Sequence, residues 1–210
     1  NRFYKKAAAF VLRAVAKHSA DLAQAVVDCG ALDALVPCLE EFDPTVKEAA
    51  AWAIGYIAQH TPELAQAVVD AGAVAYLAPL VAHPDAKLKR QVCCCLAQVA
   101  KHSVDLAEVA VEAEIFPNVL TCLKDHDSLV RKNAATCVRE VAKHTPELAK
   151  LIVNSGGAAA LVDYVADASG NAKLPGVMAI GYIAAFSETL ALAIVVSKGV
   201  APLKEALVAE

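Results

Sequence analysis

The chain has 210 residues, of which 58% are hydrophobic, and a formal net charge of −4. Its uncharged stretches reach only fourteen residues, as in 174–187, whereas a membrane-spanning helix needs about 20, so no membrane association is expected. The acidic balance argues against a general nucleic-acid binder.

A polar break of two residues recurs every 42 residues. The breaks are His18-Ser19, His60-Thr61, His102-Ser103 and His144-Thr145, with Phe186-Ser187 in the same register. A fixed period of about 20 to 50 residues predicts a solenoid, in which each repeat contacts its neighbours. Five periods account for the whole length, so we expect a single solenoid segment with units of approximately 4–45, 46–87, 88–129, 130–171 and 172–210.

The chain begins within the long helix that precedes the first break, and no polar cap stands before it. Solenoids need polar capping repeats at their ends. We therefore expect this segment to be part of a longer array, or its ends to be covered by other subunits. The first unit continues with a turn at 28–30 and a second turn at 42–44.

The second unit gives the clearest helix pattern. Apolar residues at helical spacing predict a long helix over 44–59. Thr61 then has the N-cap position, Pro62 follows at the first helical position, and a short helix is expected over 62–70. Gly72 ends that helix in a left-handed turn, and a third helix is expected over 74–82.

The third and fourth units repeat this order of three helices, with turns at 112–114 and 124–127, and at 154–156 and 167–170. The fifth unit departs from it in two ways. Its glycine comes one residue late, at Gly199, and Pro175-Gly176 interrupts the expected long helix. No alternation with period two indicates a strand, so the chain is expected to be all-α.

The string V-V-D-A-G-A-V at 68–74, an Asp-Pro turn and A-A-W-A-I at 50–54 resemble the armadillo repeat. The resemblance covers the chain in five units and implies an armadillo-repeat right-handed α-solenoid. The repeated pattern K-H-[ST]-x-[DE]-L-A is similar, more narrowly, to armadillo proteins of the central pair apparatus in motile cilia and flagella.

In armadillo proteins the long third helix of each repeat lines a concave groove. In the import adaptors of the family, a Trp and an Asn four residues later recur along that groove, and the Asn side chains hold an extended peptide. Here Trp52 is followed by Tyr56, and the later equivalents of Tyr56 are Gln98, Glu140 and Tyr182. Because the Asn series is absent, the resemblance implies a groove suited to a particular partner.

Lys17, Lys101 and Lys143 recur at the end of the long helices, each directly before a histidine. One interpretation is a basic strip that attracts an acidic partner. The other is structural: the lysines complement the negative helix C-terminus, and the histidines bond a backbone carbonyl in the turn. Repetition by itself decides neither.

A second basic series lies near the start of the long helices, where the helix dipole disfavours cations. Its members are Lys47, Lys89 and Arg131, with Lys5 and Lys173 at the two ends. We expect either solvated pairing with the preceding aspartates at 43, 85 and 127, or contact with a partner.

The residues give little support to a cofactor, a metal or catalysis. Cys93, Cys94 and Cys95 point in directions about 100° apart on a helix and cannot converge on one ion. The seven cysteines do not follow the repeat period, so a disulfide framework is not expected and a reducing compartment is. Catalysis needs one preorganised constellation, whereas this chain repeats its features.

The resemblance implies a non-catalytic scaffold in the cytoskeleton of the ciliary or flagellar axoneme. Its implied partners are other central-apparatus proteins, microtubules (tubulin) and further copies of itself. The resemblance implies no nucleic acid, membrane or small-molecule substrate as a partner. Two alternatives remain open, a catenin-like scaffold in the cytoplasm and an import-adaptor-like protein that binds an extended peptide.

Overall fold

A computed structural model describes residues 1–209, and these residues form helices and turns without strands. The chain divides into two compact units, unit 1 from Asn1 to Ile115 and unit 2 from Phe116 onward. The all-α expectation is confirmed. The expected single solenoid segment with its five boundaries stays a prediction.

Unit 1 contains eight helices, of which the first, fourth and seventh are long. They are α1 Arg2–His18, α2 Ala20–Asp28, α3 Ala31–Cys38, α4 Pro44–Ala58, α5 Pro62–Asp70, α6 Ala73–Leu80, α7 Ala86–Ala100 and α8 Val104–Glu112. The long helices pack side by side, α1 on α4 and α4 on α7. Small residues permit this close approach, and Ala50, Ala53 and Ala97 are buried in the contact layer.

Unit 2 contains seven α-helices and one 3₁₀ turn. They are α9 Phe116–Cys122, α10 Ser128–Ala142, α11 Pro146–Asn154, α12 Gly157–Asp167, the turn Gly170–Lys173, α13 Leu174–Phe186, α14 Glu188–Val196 and α15 Val200–Val208. The expected interruption near Pro175 is a late start: α13 begins at Leu174, after the 3₁₀ turn. Glycine is needed at 176, because a Cβ there would lie 2.6 Å from Tyr164 Cδ1.

Side-chain caps at the helix starts recur every 42 residues. The hydroxyls of the N-cap residues accept from the backbone N–H of the leucine three residues later, and the caps are Ser19, Thr61, Ser103, Thr145 and Ser187. The carboxylates of Asp43, Asp85 and Asp127 cap the long helices α4, α7 and α10, and they accept from backbone N–H groups two or three residues later. These aspartates therefore satisfy backbone donors of the first turn, each cap being worth about 1 kcal/mol.

The left-handed turns keep the 42-residue register even where glycine is missing. Gly30, Gly72 and Gly156 have φ of 79°, 83° and 88°. Glu114 takes the same position with φ 60°, and Lys198 does so with φ 64°.

In the fifth unit, where the glycine comes one residue late, Lys198 and not Gly199 makes the left-handed turn. Gly199 has φ −73°, which any residue can adopt. Its lack of a side chain matters for packing, because a Cβ there would lie 2.6 Å from Ile194 Cγ2 and 3.0 Å from Val162 Cγ2.

Candidate functional site

Two of the recurring histidines, His60 and His102, hold one repeat to the next. His60 Nε2 lies 2.5 Å from the carbonyl oxygen of Ala16, and His102 Nε2 lies 2.7 Å from that of Ala58. A carbonyl only accepts, so Nε2 carries the proton and donates. Both acceptors lie in the last turn of a long helix, where carbonyls lack partners within the helix. The structural interpretation of His60 and His102 accounts for this geometry.

A cation lies between two aromatic rings on the long helices of unit 1. The guanidinium carbon of Arg13 is 3.7 Å from the centroid of the Trp52 ring and 4.9 Å from that of Phe10. Both distances fall within the range of about 6 Å for cation–π attraction. Trp52, expected in the groove, thus has its ring face covered by a cation of the neighbouring helix.

The same helices bring three expected groove residues together. Trp52 and Tyr56 of α4 and Gln98 of α7 line one cavity of about 80 Å³, with Gln59 at its edge. Gln98 Oε1 itself is buried and has no hydrogen-bond partner in the described structure. A buried acceptor without a donor costs about 1–3 kcal/mol. We call the surface of Arg13, Trp52, Tyr56 and Gln98 the unit 1 groove.

In unit 2, Glu140 joins the expected basic position Lys143 to Arg139. It is 8% exposed and accepts from Arg139 Nε at 2.9 Å and from Lys143 Nζ at 2.5 Å. Burial raises the pKa of its carboxyl, but the hydrogen bonds and charges of Lys143 and Arg139 outweigh burial and hold the pKa below its ordinary value. Lys143 is therefore an ion-pair partner within α10, three residues from Glu140.

The remaining groove and strip positions lie on long helices or at their ends. Tyr182 is half-buried on α13, Lys17 is exposed near the end of α1, and Lys101 is the C-cap residue of α7.

The members of the second basic series differ in their contacts. Arg131 donates to the carbonyl oxygens of Asp125 at 2.7 Å and His126 at 3.2 Å, so it secures the turn before α10. Lys5 donates to the carboxylate of Glu41, and this hydrogen bond raises the pKa of Lys5. Lys47 and Lys89 are half-buried on α4 and α7.

Arg13 is the residue of this surface that the sequence interpretation missed. Comparison at 42-residue steps draws attention to positions that recur, and the two steps after Arg13 hold the small residues Gly55 and Ala97. The available signal was local: Arg13 follows the aromatic Phe10 by three residues, the spacing that puts both on one helix face.

Within residues 1–209 no group of three or more His, Cys, Asp or Glu side chains is placed to hold a metal ion. No single helix of that range is long and apolar enough to cross a membrane, although the bent pair α11 and α12 meets the criterion by length and composition.

The order of helices and their side-by-side packing define an α-solenoid of helical repeats. Residues 19–59 match the Armadillo/beta-catenin-like repeat, residues 44–99 a HEAT-like repeat and residues 115–145 the HEAT repeat. These matches support the armadillo and HEAT family of repeats for this chain. A search of curated proteins finds no significant match.

Solved structures confirm the armadillo solenoid fold. A designed armadillo repeat protein is similar with a TM-score of 0.92 and 24% identity, over 95% of this chain and 84% of that one. Another, in complex with the peptide (KR)4, has a TM-score of 0.90 and 24% identity, over 95% and 83%. An engineered protein is similar with a TM-score of 0.95 and 29% identity, over 99% of this chain and 84% of that one. The armadillo solenoid fold is typically a non-catalytic binding scaffold.

Proposed function

We propose that this chain is a non-catalytic scaffold that binds an extended segment of a partner protein across its long helices. The observation that carries the proposal is the unit 1 groove, where side chains of neighbouring long helices line one cavity. An extended peptide offers backbone N–H and C=O groups at regular spacing, which the glutamine side chains that line this cavity can bind.

We propose further that this scaffold belongs to the central pair apparatus of motile cilia and flagella. The support is the resemblance of the repeated strings around His18, His60, His102 and His144 to sperm-associated antigen 6. In that setting the partners would be other central-apparatus proteins, microtubules and further copies of the chain. Rigid repeats would then hold the apparatus together during bending.

The test of the ciliary assignment is the localisation of the tagged full-length protein in ciliated cells, followed by salt extraction of axonemes. We expect the protein on the central pair, released only at elevated salt. A protein found away from cilia would contradict this assignment and leave the scaffold proposal in place.

A generic cytoplasmic or nuclear peptide binder is the second candidate. It is favoured by the similarity to a designed armadillo protein in complex with the basic peptide (KR)4. The absence of the recurring Asn positions argues against an import adaptor. Binding of a basic peptide at micromolar affinity or better would favour this second candidate.

A further inference from the structure

Charge in unit 1 is sorted by helix type. Every Lys and Arg of residues 1–115 lies in the long helices α1, α4 and α7 or, for Lys101, at the C-cap of α7. Of the acidic residues in the same range, only Glu48 lies within a long helix, and the others are in the short helices, turns and caps. The long helices, which pack side by side, therefore carry more basic than acidic residues, although the chain as a whole is acidic.

Unit 2 lacks this separation. Its long helix α10 carries Glu140 between Arg139 and Lys143, and its short helix α11 carries Lys150 beside the acidic Glu147. Glu140 forms ion pairs with both Arg139 and Lys143, which leaves one positive charge in this cluster. The complete separation of basic residues from the short helices is thus a property of unit 1 and does not follow from the repeat alone.

Arg13 gives this surface a defined anion-binding group. Its guanidinium is held over the Trp52 ring, 3.7 Å from the centroid. A guanidinium that stacks on a ring keeps its N–H donors in its own plane, where they match the two oxygens of a carboxylate. The same stacking occupies the ring face on which an incoming Lys or Arg would otherwise bind. Lys17, four residues later on the same side of α1, is exposed.

We propose that the unit 1 groove binds an acidic, extended polypeptide segment. Carboxylates of the segment bind Arg13 and are attracted by Lys17. This inference rests on the proposed scaffold function and specifies the chemistry of its partner.

The test is fluorescence anisotropy with the full chain and dye-labelled peptides of equal length, an oligo-glutamate, a Lys-Arg peptide and a Gly-Ser peptide. We expect the oligo-glutamate alone to bind, and more weakly as salt rises. Arg13→Gln should weaken binding about tenfold, the effect of losing a charge-assisted contact, and Lys17→Gln about two- to fivefold. Lys17→Gln tests the charge at an exposed side chain, where a folding defect is not expected.

The matched control is Lys150→Gln, which removes one exposed positive charge from the short helix α11. An equal loss in this control, failure of the oligo-glutamate to bind, or tighter binding of a single-stranded polynucleotide overturns the inference. Binding of the Lys-Arg peptide in place of oligo-glutamate also overturns it, but leaves the peptide-binding scaffold intact. The scaffold function itself fails if no peptide binds and no axonemal protein is captured.

Discussion

Replacing His60 with alanine tests whether the histidines hold neighbouring repeats together. The substitution removes the donor to the carbonyl of Ala16, a residue that is 0% exposed. Because Ala16 lies in the last turn of α1, no helical N–H is expected to replace the lost donor. A buried acceptor left without a partner costs about 1–3 kcal/mol, so we expect a loss of about 2 kcal/mol in the free energy of unfolding.

For a chain of this size, each kcal/mol lowers the Tm by about 2–4 °C, so the expected drop is about 4–8 °C. Thermal and urea unfolding, followed by circular dichroism, measure it. The control is His18→Ala, because His18 occupies the same repeat position but is exposed at the end of α1. His60→Gln keeps an N–H donor and should recover part of the loss. Equal Tm values for His60→Ala and His18→Ala would refute the reasoning.

Three further changes test the unit 2 contacts and the left-handed turn. Glu140→Gln should cost about 1–2 kcal/mol at neutral pH. The pKa of Glu140 is lowered in the folded state, so its contribution to the free energy of unfolding is fully present above the ordinary glutamate pKa. That contribution is lost as the pH falls through the lowered value. The stabilities of wild type and variant, measured by urea unfolding, should therefore converge in acid. Lys198→Gly should raise the stability by up to about 1 kcal/mol, since glycine adopts φ 64° without strain. Gly199→Ala should lower the Tm through its clash with Ile194, and an unchanged Tm would contradict the packing role.

Local chemistry allowed the sequence to determine the repeat, the helices and their caps. The hydroxyl of Thr61 caps the helix start, and Pro62, which has no N–H, suits the first helical position. The helix α5 spans Pro62–Asp70 as predicted. The 42-residue spacing then transfers each such prediction to the other units. These features depend on residues a few positions apart, so they need no knowledge of packing.

The contacts between helices were decided only in the tertiary structure. His60 bonds the carbonyl of a residue 44 positions earlier, and Arg13 stacks on Trp52 of the next long helix. Neither distance follows from the period, because the period says which positions are equivalent and not which side chains meet. Gly199 is a further example. The sequence showed only that this glycine comes one residue late, whereas the tertiary structure shows that Ile194 and Val162 leave no space for a side chain there.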